Sequence, residues 1–377
     1  MNRGGRPVAG LFVLVFLFVA GRGAQAADYT LCVANFHLHT RESGNDHRIG
    51  VSPRTELVLE RLYGLGCVGL SDHPDGLTPK SWAEEGAAVA DETTAEFVAL
   101  RGFEWTAPGG KHLNVFATRD YHLVTGITSD EITADLYAWL ERPEQAGAIV
   151  QFNHPWWADD LSLLLRRPPS WQPDGPLDRA MRMIEVGSGR AIDSWFYGTK
   201  AVGEECYRAA LRAGWHVAPT IGHDATGMPD RLSRARHTGL WLRTLTPEGV
   251  LEALRARRLF AAEDRNMVLR FEAEVGGVRH QMGEVLPTHG GAVTFVVTST
   301  DTKQEFTTYV ADAQGHHVWD APAPGNVRGA RFTLSDAQLR ALPPIPEGER
   351  CLYLALARTG DDQRMALSAP FWLVPPP

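Results

Sequence analysis

His37 and His39 close the first apolar run of the chain, separated by a single residue. In a strand, residues i and i+2 point to the same side, about 7 Å apart along the chain, so this pair can chelate one ion from one strand end. The same placement recurs downstream. A second apolar run ends Ser71-Asp72-His73, a third ends Gly102-Phe103-Glu104, and His112 opens the next. Ala148-Ile149-Val150-Gln151-Phe152 leads into Asn153-His154-Pro155, and Pro219-Thr220-Ile221-Gly222 leads into His223-Asp224. One histidine after a strand is ordinarily a hydrogen-bonded loop residue. The repetition of imidazole and carboxylate at the same topological position points to metal chemistry. That donor mixture suits Zn, Mn or Fe, whereas an all-oxygen set would suit Mg or Ca.

The elements that must carry these residues follow from the apolar pattern. Strands are expected at 31–36, 68–70, 97–102, 113–117, 148–152, 181–186, 216–221 and 239–242. Helices are expected from Ser52-Pro53 to Leu62, from Ser129 to Leu140, from Lys200 to Ala213, and after the Thr246-Pro247-Glu248 start signal. Such alternation implies parallel strands with helical crossovers, and an α/β barrel is the natural architecture. The carboxyl ends of all its strands meet on one face, which would gather ligands far apart in sequence. After residue 266 the pattern changes to strands near 268–275, 292–300, 307–312, 330–334 and 352–357 with Gly- and Pro-rich turns, as in an immunoglobulin-like β-sandwich.

Composition narrows the function classes. The 377 residues are 44% hydrophobic and 22% charged, enough for two folded domains. A net charge of −8 argues against a nucleic-acid partner. Arg3 and Arg6, the apolar run 8–20 and Ala24-Gln25-Ala26 read as an export signal cut after residue 26. The apolar run is too short to span a bilayer, which needs about 20 residues. The mature chain is therefore expected in the periplasm or medium, with no stable membrane insertion. Cys32, Cys67, Cys206 and Cys351 are too sparse for a disulfide scaffold; Cys32 and Cys67 are either neighbours or buried free thiols. Gly64-Leu65-Gly66-Cys67-Val68-Gly69 fits a dinucleotide fingerprint in spacing but enters a strand instead of leaving one, and no nucleophile elbow or P-loop is present.

The segments Phe36-His37-Leu38-His39-Thr40, Ser71-Asp72-His73, Gly102-Phe103-Glu104, His112, Phe152-Asn153-His154-Pro155 and Gly222-His223-Asp224 occur in an order that resembles the PHP superfamily, named for polymerase and histidinol phosphatase. Within it the chain looks most like the exported branch related to carbaryl hydrolases, to which the stretch from Leu251 through Ala262-Glu263-Asp264 to Asn266 is also similar. The resemblance implies a distorted (β/α)7 barrel over 27–266 holding two or three divalent ions, followed by the β-rich domain 267–377. His37, His39 and Asp224 would take the first ion. Glu104 would bridge to a second, completed by His112 and His154. A third would use His73 and an early acid, Asp46, with Glu42 and His47 as alternatives, plus a histidine two residues beyond Asp224. That position is Thr226, which leaves the third site incomplete, and His223 could replace it only with a different loop path.

The expected activity is hydrolysis of a small molecule by metal-activated water, with Glu104 and Asp224 at the reacting centre and Asp72 orienting ligands from behind. Phosphoesters are the leading substrate class and carbamates or aryl esters the alternative. Arg41, Lys111 and Arg190 are candidate phosphate holders, and Trp156 and Trp157 candidate stacking partners. A metal-holding or ligand-binding protein without catalysis is the rival from another class.

Overall fold

The computed structural model describes residues 29–44, 50–126, 128–159, 161, 165–189, 192, 195–196, 199–200, 202–225, 235–301 and 305–376. The export signal expected at 1–26 lies outside them, as do Asp46, His47, Arg190 and Thr226. No helix among the described residues is long and apolar enough to cross a membrane.

Among the described residues, the first part of the chain contributes β1 (Thr30–Asn35), β2 (Cys67–Gly69), β3 (Val98–Leu100), β4 (Gly102–Ala107), β5 (Lys111–Phe116), β6 (Ile149–Asn153), β7 (Met181–Ser188), the short hairpin β8 (Trp195–Phe196) and β9 (Thr199–Lys200), β10 (Ala218–Gly222), β11 (His237–Leu242) and β12 (Leu259–Ala262). They form two principal sheets. One runs β10-β7-β6-β5-β4; the other contains β12-β11-β1-β2-β3. Their seams are isolated hydrogen bonds in place of a ladder. On one side Asp72 bridges Phe103 and the Glu104 amide donates to the Asp72 carbonyl (3.0 Å). On the other the Asp224 amide donates to the carbonyl of His37 (3.0 Å).

This corrects the expectation of a closed parallel barrel. Among the described residues no continuous ladder closes the two sheets, and β4–β5, β5–β6, β1–β11 and β11–β12 are antiparallel. The turn Pro108-Gly109-Gly110 is the physical reason for one departure. Both glycines have positive φ (80° and 72°), a region open to glycine without steric cost, and they fold the expected single strand end into a hairpin. Because β5 runs backwards, His112 near its start lies at the same rim as residues ending the parallel strands. A further helix (Pro79–Glu92) begins with a capping box between Thr78 and Ser81. Its alternation of Ala, Glu and Gly carries little periodicity, and it was not anticipated.

Between the sheets, Phe36, Phe116, Met183 and Ala218 are fully or almost fully buried in one apolar cluster. Phe116 fits because Gly69 and Gly102 have no Cβ. One added there would lie 2.5 and 2.4 Å from its ring.

The tail supplies β13 (Val268–Val275), β14 (Val278–Gln281), β15 (Val285–Pro287), β16 (Val293–Thr300), β17 (Phe306–Asp312), β18 (His317–Asp320), β19 (Val327–Leu334), β20 (Arg350–Arg358), β21 (Arg364–Ser368) and β22 (Phe371–Val374). Four of them make an antiparallel sheet, β14-β13-β16-β19. The rest extend the large sheet across the expected boundary at 266/267, because β21 pairs with β12 from Phe260↔Ser368 to Ala262↔Ala366. Phe271 and Phe295 pack on Phe371 at 5.1 and 6.0 Å, joining the small sheet to the large one. The tail is thus not a hydrogen-bonded unit of its own. All four cysteines are buried, and no disulfide joins them.

Polar contacts reinforce this junction. Tyr353 donates to Glu204 (2.6 Å), and Tyr207 to the Ser368 carbonyl (3.0 Å). His216 lies between Glu349 (2.8 Å) and Asp178 (3.5 Å) and packs on Trp372. Burial opposes the imidazolium, but Asp178 and Glu349 outweigh it and raise its pKa above 6.5. A raised folded-state pKa stabilises fully below the unfolded value, and the contribution is lost as pH rises through the folded one. His216→Asn should therefore cost about 1.5–3 kcal/mol in urea unfolding near pH 6. The gap from wild type should narrow as pH is raised; a gap constant from about pH 6 to 9 would rule the ion pair out.

Candidate metal centre

The cluster is built on a hydrogen-bonded floor. Thr220 donates to Gln151 (2.9 Å), whose amide donates to Asn153 (3.0 Å). The Asn153 amide donates to Asn114 and to Glu104 Oε1, both at 2.8 Å, and Asn114 donates to the Phe36 carbonyl (2.8 Å). All four of these side chains are buried along the strands, where an unpaired polar group would be costly. Each amide is oriented by its neighbour, so Glu104 is held by the sheet beneath it.

Above that floor the expected residues converge. His37 Nε2 lies 3.2 Å from His39 Nε2 and 3.3 Å from Glu104 Oε1. His39 Nε2 lies 3.3 Å from Glu104 Oε2, and Asp224 Oδ1 is 3.5 and 3.4 Å from the two histidine nitrogens. Donors about 2.0–2.2 Å from a tetrahedral ion are separated by about 3.3–3.6 Å, which these spacings fit. A second group shares Glu104: its Oε1 is 3.2 Å from His112 Nδ1 and 3.3 Å from His154 Nε2. The buried Nδ1 of His112 has no hydrogen-bond partner, as befits a nitrogen whose lone pair faces a cation. These two sets of donors can each hold a metal ion, with Glu104 common to both.

The backbone accommodates this convergence at some cost. His154 and Asp224 have φ of 23° and 48°, in a region that non-glycine residues avoid at roughly 1–3 kcal/mol each. His154 is fixed there by its amide, which donates to Glu185 Oε2 (2.8 Å), and by Pro155 on its other side. Gly222 clears the space: a Cβ would fall 2.2 Å from Glu185 Oε1 and 2.5 Å from His37 Cβ.

The field of the cluster favours positive charge. Burial pushes the Glu104 carboxyl up, but His37, then His112 and His154, hold it well below the usual range. Asp224 is likewise lowered against burial, chiefly by His37 and His39. Burial disfavours the His37 imidazolium, yet Glu185, Glu104 and Asp224 raise its pKa well above the ordinary value, and Asp224 and Glu104 raise His39 to about 9. Carboxylates held ionised beside imidazoles held protonated make a site in which divalent ions can replace protons.

Three other expected residues sit around the cluster. Asp72 turns its carboxylate to residues 40–43, accepting from the Thr40 amide (2.6 Å), the Thr40 hydroxyl (2.7 Å) and Ser43 (2.5 Å). It acts on the site through Ser43, whose hydroxyl also accepts from His39 Nδ1 (2.8 Å) and leaves His39 Nε2 facing the cluster. His73 stacks on His39 and directs Nδ1 to Thr106 (2.8 Å) and Glu104 (3.4 Å). His223, expected as a substitute ligand, turns Nε2 to the Arg236 carbonyl (3.3 Å) and joins none of the close donor groups, because its neighbour Asp224 takes the inward position. Arg41 pairs with Glu42.

Glu185 was not anticipated. Fully buried, it accepts from His37 Nδ1 (3.0 Å), which fixes the ring with Nε2 inward. A lone acid in the apolar run Met181-Arg182-Met183-Ile184-Glu185-Val186 was the available signal, since a buried carboxylate must be paired. Outer partners of this kind typically change metal affinity about 10–100-fold. Glu185→Gln and Ser43→Ala should each weaken Zn binding by about that factor in competition with a chromophoric chelator. An unchanged affinity would make both residues purely structural.

No family model matches the chain, and no curated protein matches it. Among solved structures, it is similar to a two-domain protein from Bacteroides vulgatus containing a predicted PHP-like metal-dependent phosphoesterase, at 14% identity and a TM-score of 0.44 over 92% of this chain and 100% of that one. It is also similar to PsfC from Pseudomonas syringae, at 15% identity and a TM-score of 0.33 over 56% of this chain and 82% of that one. Likenesses this distant do not bear on activity.

Proposed function

We propose that the chain is an exported metal-dependent hydrolase of the PHP type, acting on phosphoesters. The observation that carries this reading is the convergence of His37, His39, Glu104 and Asp224 donor atoms beside a second set, His112 and His154, that shares Glu104. Export rests on the sequence of residues 1–26.

In this reading His37, His39 and Asp224 would hold one ion and His112 and His154 another, with Glu104 available to both. When bound, the ions supply Lewis acidity, polarising a substrate oxygen and acidifying water at neutral pH. The chain's own residues supply position. Glu185 and Ser43 aim the two imidazoles of the first set, and Asn153 keeps one Glu104 oxygen in place. The side chains of Asp224 and His112 are 19% and 21% exposed, whereas those of His37, His39, Glu104 and His154 are at most 1% exposed. Substrate therefore reaches the centre past Asp224 and His112.

A carbamate or aryl ester is the second reading. It needs the same donors but no phosphate clamp, and Arg41 pairs with Glu42 at the surface. Protein stripped with chelator and reloaded separately with Zn, Mn or Fe should regain turnover of a chromogenic phosphodiester, or of an aryl carbamate if the second reading holds. Glu104→Ala should lose both metals and activity, the latter by about 10²–10³-fold or more. Metal retained without turnover of either substrate would leave a binding protein instead.

A further inference from the structure

Among the described residues, Trp157 is the large apolar side chain left open beside the candidate metal centre. Its ring lies 4.2 Å from that of His154, tilted by 36°, and 36% of the residue is exposed. His154 itself is 1% exposed and packs edge-on against His112 at 4.9 Å. The indole thus continues the wall of the cluster outwards, next to the accessible His112.

The position is built, not incidental to a loose loop. The Trp157 amide donates to the His154 carbonyl (2.9 Å), closing a single 3-10 turn over Pro155–Trp157. The β4–β5 turn braces it from behind. The Asp159 amide donates to the Gly109 carbonyl (3.0 Å), and a Cβ on Gly110 would fall 2.3 Å from the Trp157 carbonyl oxygen. Gly110 also has a φ of 72°, so this close approach requires glycine twice over. The same hairpin that turns His112 towards the centre therefore locks the indole beside it. Trp156, its neighbour in sequence, has no contact with the histidine rings of the cluster among the aromatic contacts described.

We infer that Trp157 is a specificity-determining residue that receives a planar aromatic group borne by the substrate next to its hydrolysable bond. This rests on the hydrolase reading and adds the chemistry of the part of the substrate that does not react. An indole already held rigid loses little freedom on stacking, so the contact is available for discrimination between aromatic and alkyl substrates.

The test uses non-hydrolysable probes on the full chain reloaded with Zn or Mn, phenylphosphonate against methylphosphonate, by titration calorimetry. Phenylphosphonate should bind about tenfold more tightly, the ratio that about 1.4 kcal/mol of ring contact produces. Trp157→Ala should bring the two within about twofold, and Trp157→Phe should retain most of the preference. Equal binding by wild type, or a phenyl preference that survives Trp157→Ala, overturns the assignment while leaving the hydrolase reading intact. Binding of neither probe overturns the phosphoester reading itself, and the aromatic preference falls with it.

Discussion

Glu104 is the constraint around which the rest of the molecule is arranged. Its two oxygens lie within 3.4 Å of five imidazoles, those of His37, His39, His73, His112 and His154. Such a carboxylate, 1% exposed, is tolerable only if its charge is matched and its position fixed. Match comes from imidazoles that protons or divalent ions can make cationic. Position comes from Asn153 and the amide floor, and from the seam bond between the Glu104 amide and Asp72. Removing the residue would therefore disturb the meeting of the two sheets as well as the centre.

Around that carboxylate, two of the inward imidazoles are aimed by a partner on their far side. Glu185 aims His37, and Ser43, itself anchored on Asp72, aims His39. These partners come from β7 and from the short turn after β1, so the aiming contacts also tie together segments distant in sequence. The left-handed backbone at His154 and Asp224 belongs to the same scheme. Conformations disfavoured in isolation persist because the surrounding hydrogen bonds determine them.

Much of this was legible in the sequence. The residues His37, His39, Glu104, His112, His154 and Asp224 flank apolar runs, and local pattern is enough to see that. The strands 30–35, 149–153 and 268–275 and the helices with Ser-Pro or Thr-Pro starts were visible for the same reason. Glu185 was hidden because it lies within an apolar run, not at its end, and one acid has no spacing to read. His223 misled because two adjacent residues with ligating side chains follow one strand and only the turn decides which faces inward. The pairing of β21 with β12 was illegible, since it joins residues about a hundred positions apart and leaves no local trace.

That last pairing has a structural corollary. From β21 the large sheet passes through β12 and β11 to β1, the strand whose end presents His37 and His39. The C-terminal strands and the paired imidazoles thus share one lamina of backbone. A distortion imposed at the C-terminal end has a direct mechanical route, three ladders long, to the two nitrogens on which any bound cation would rest.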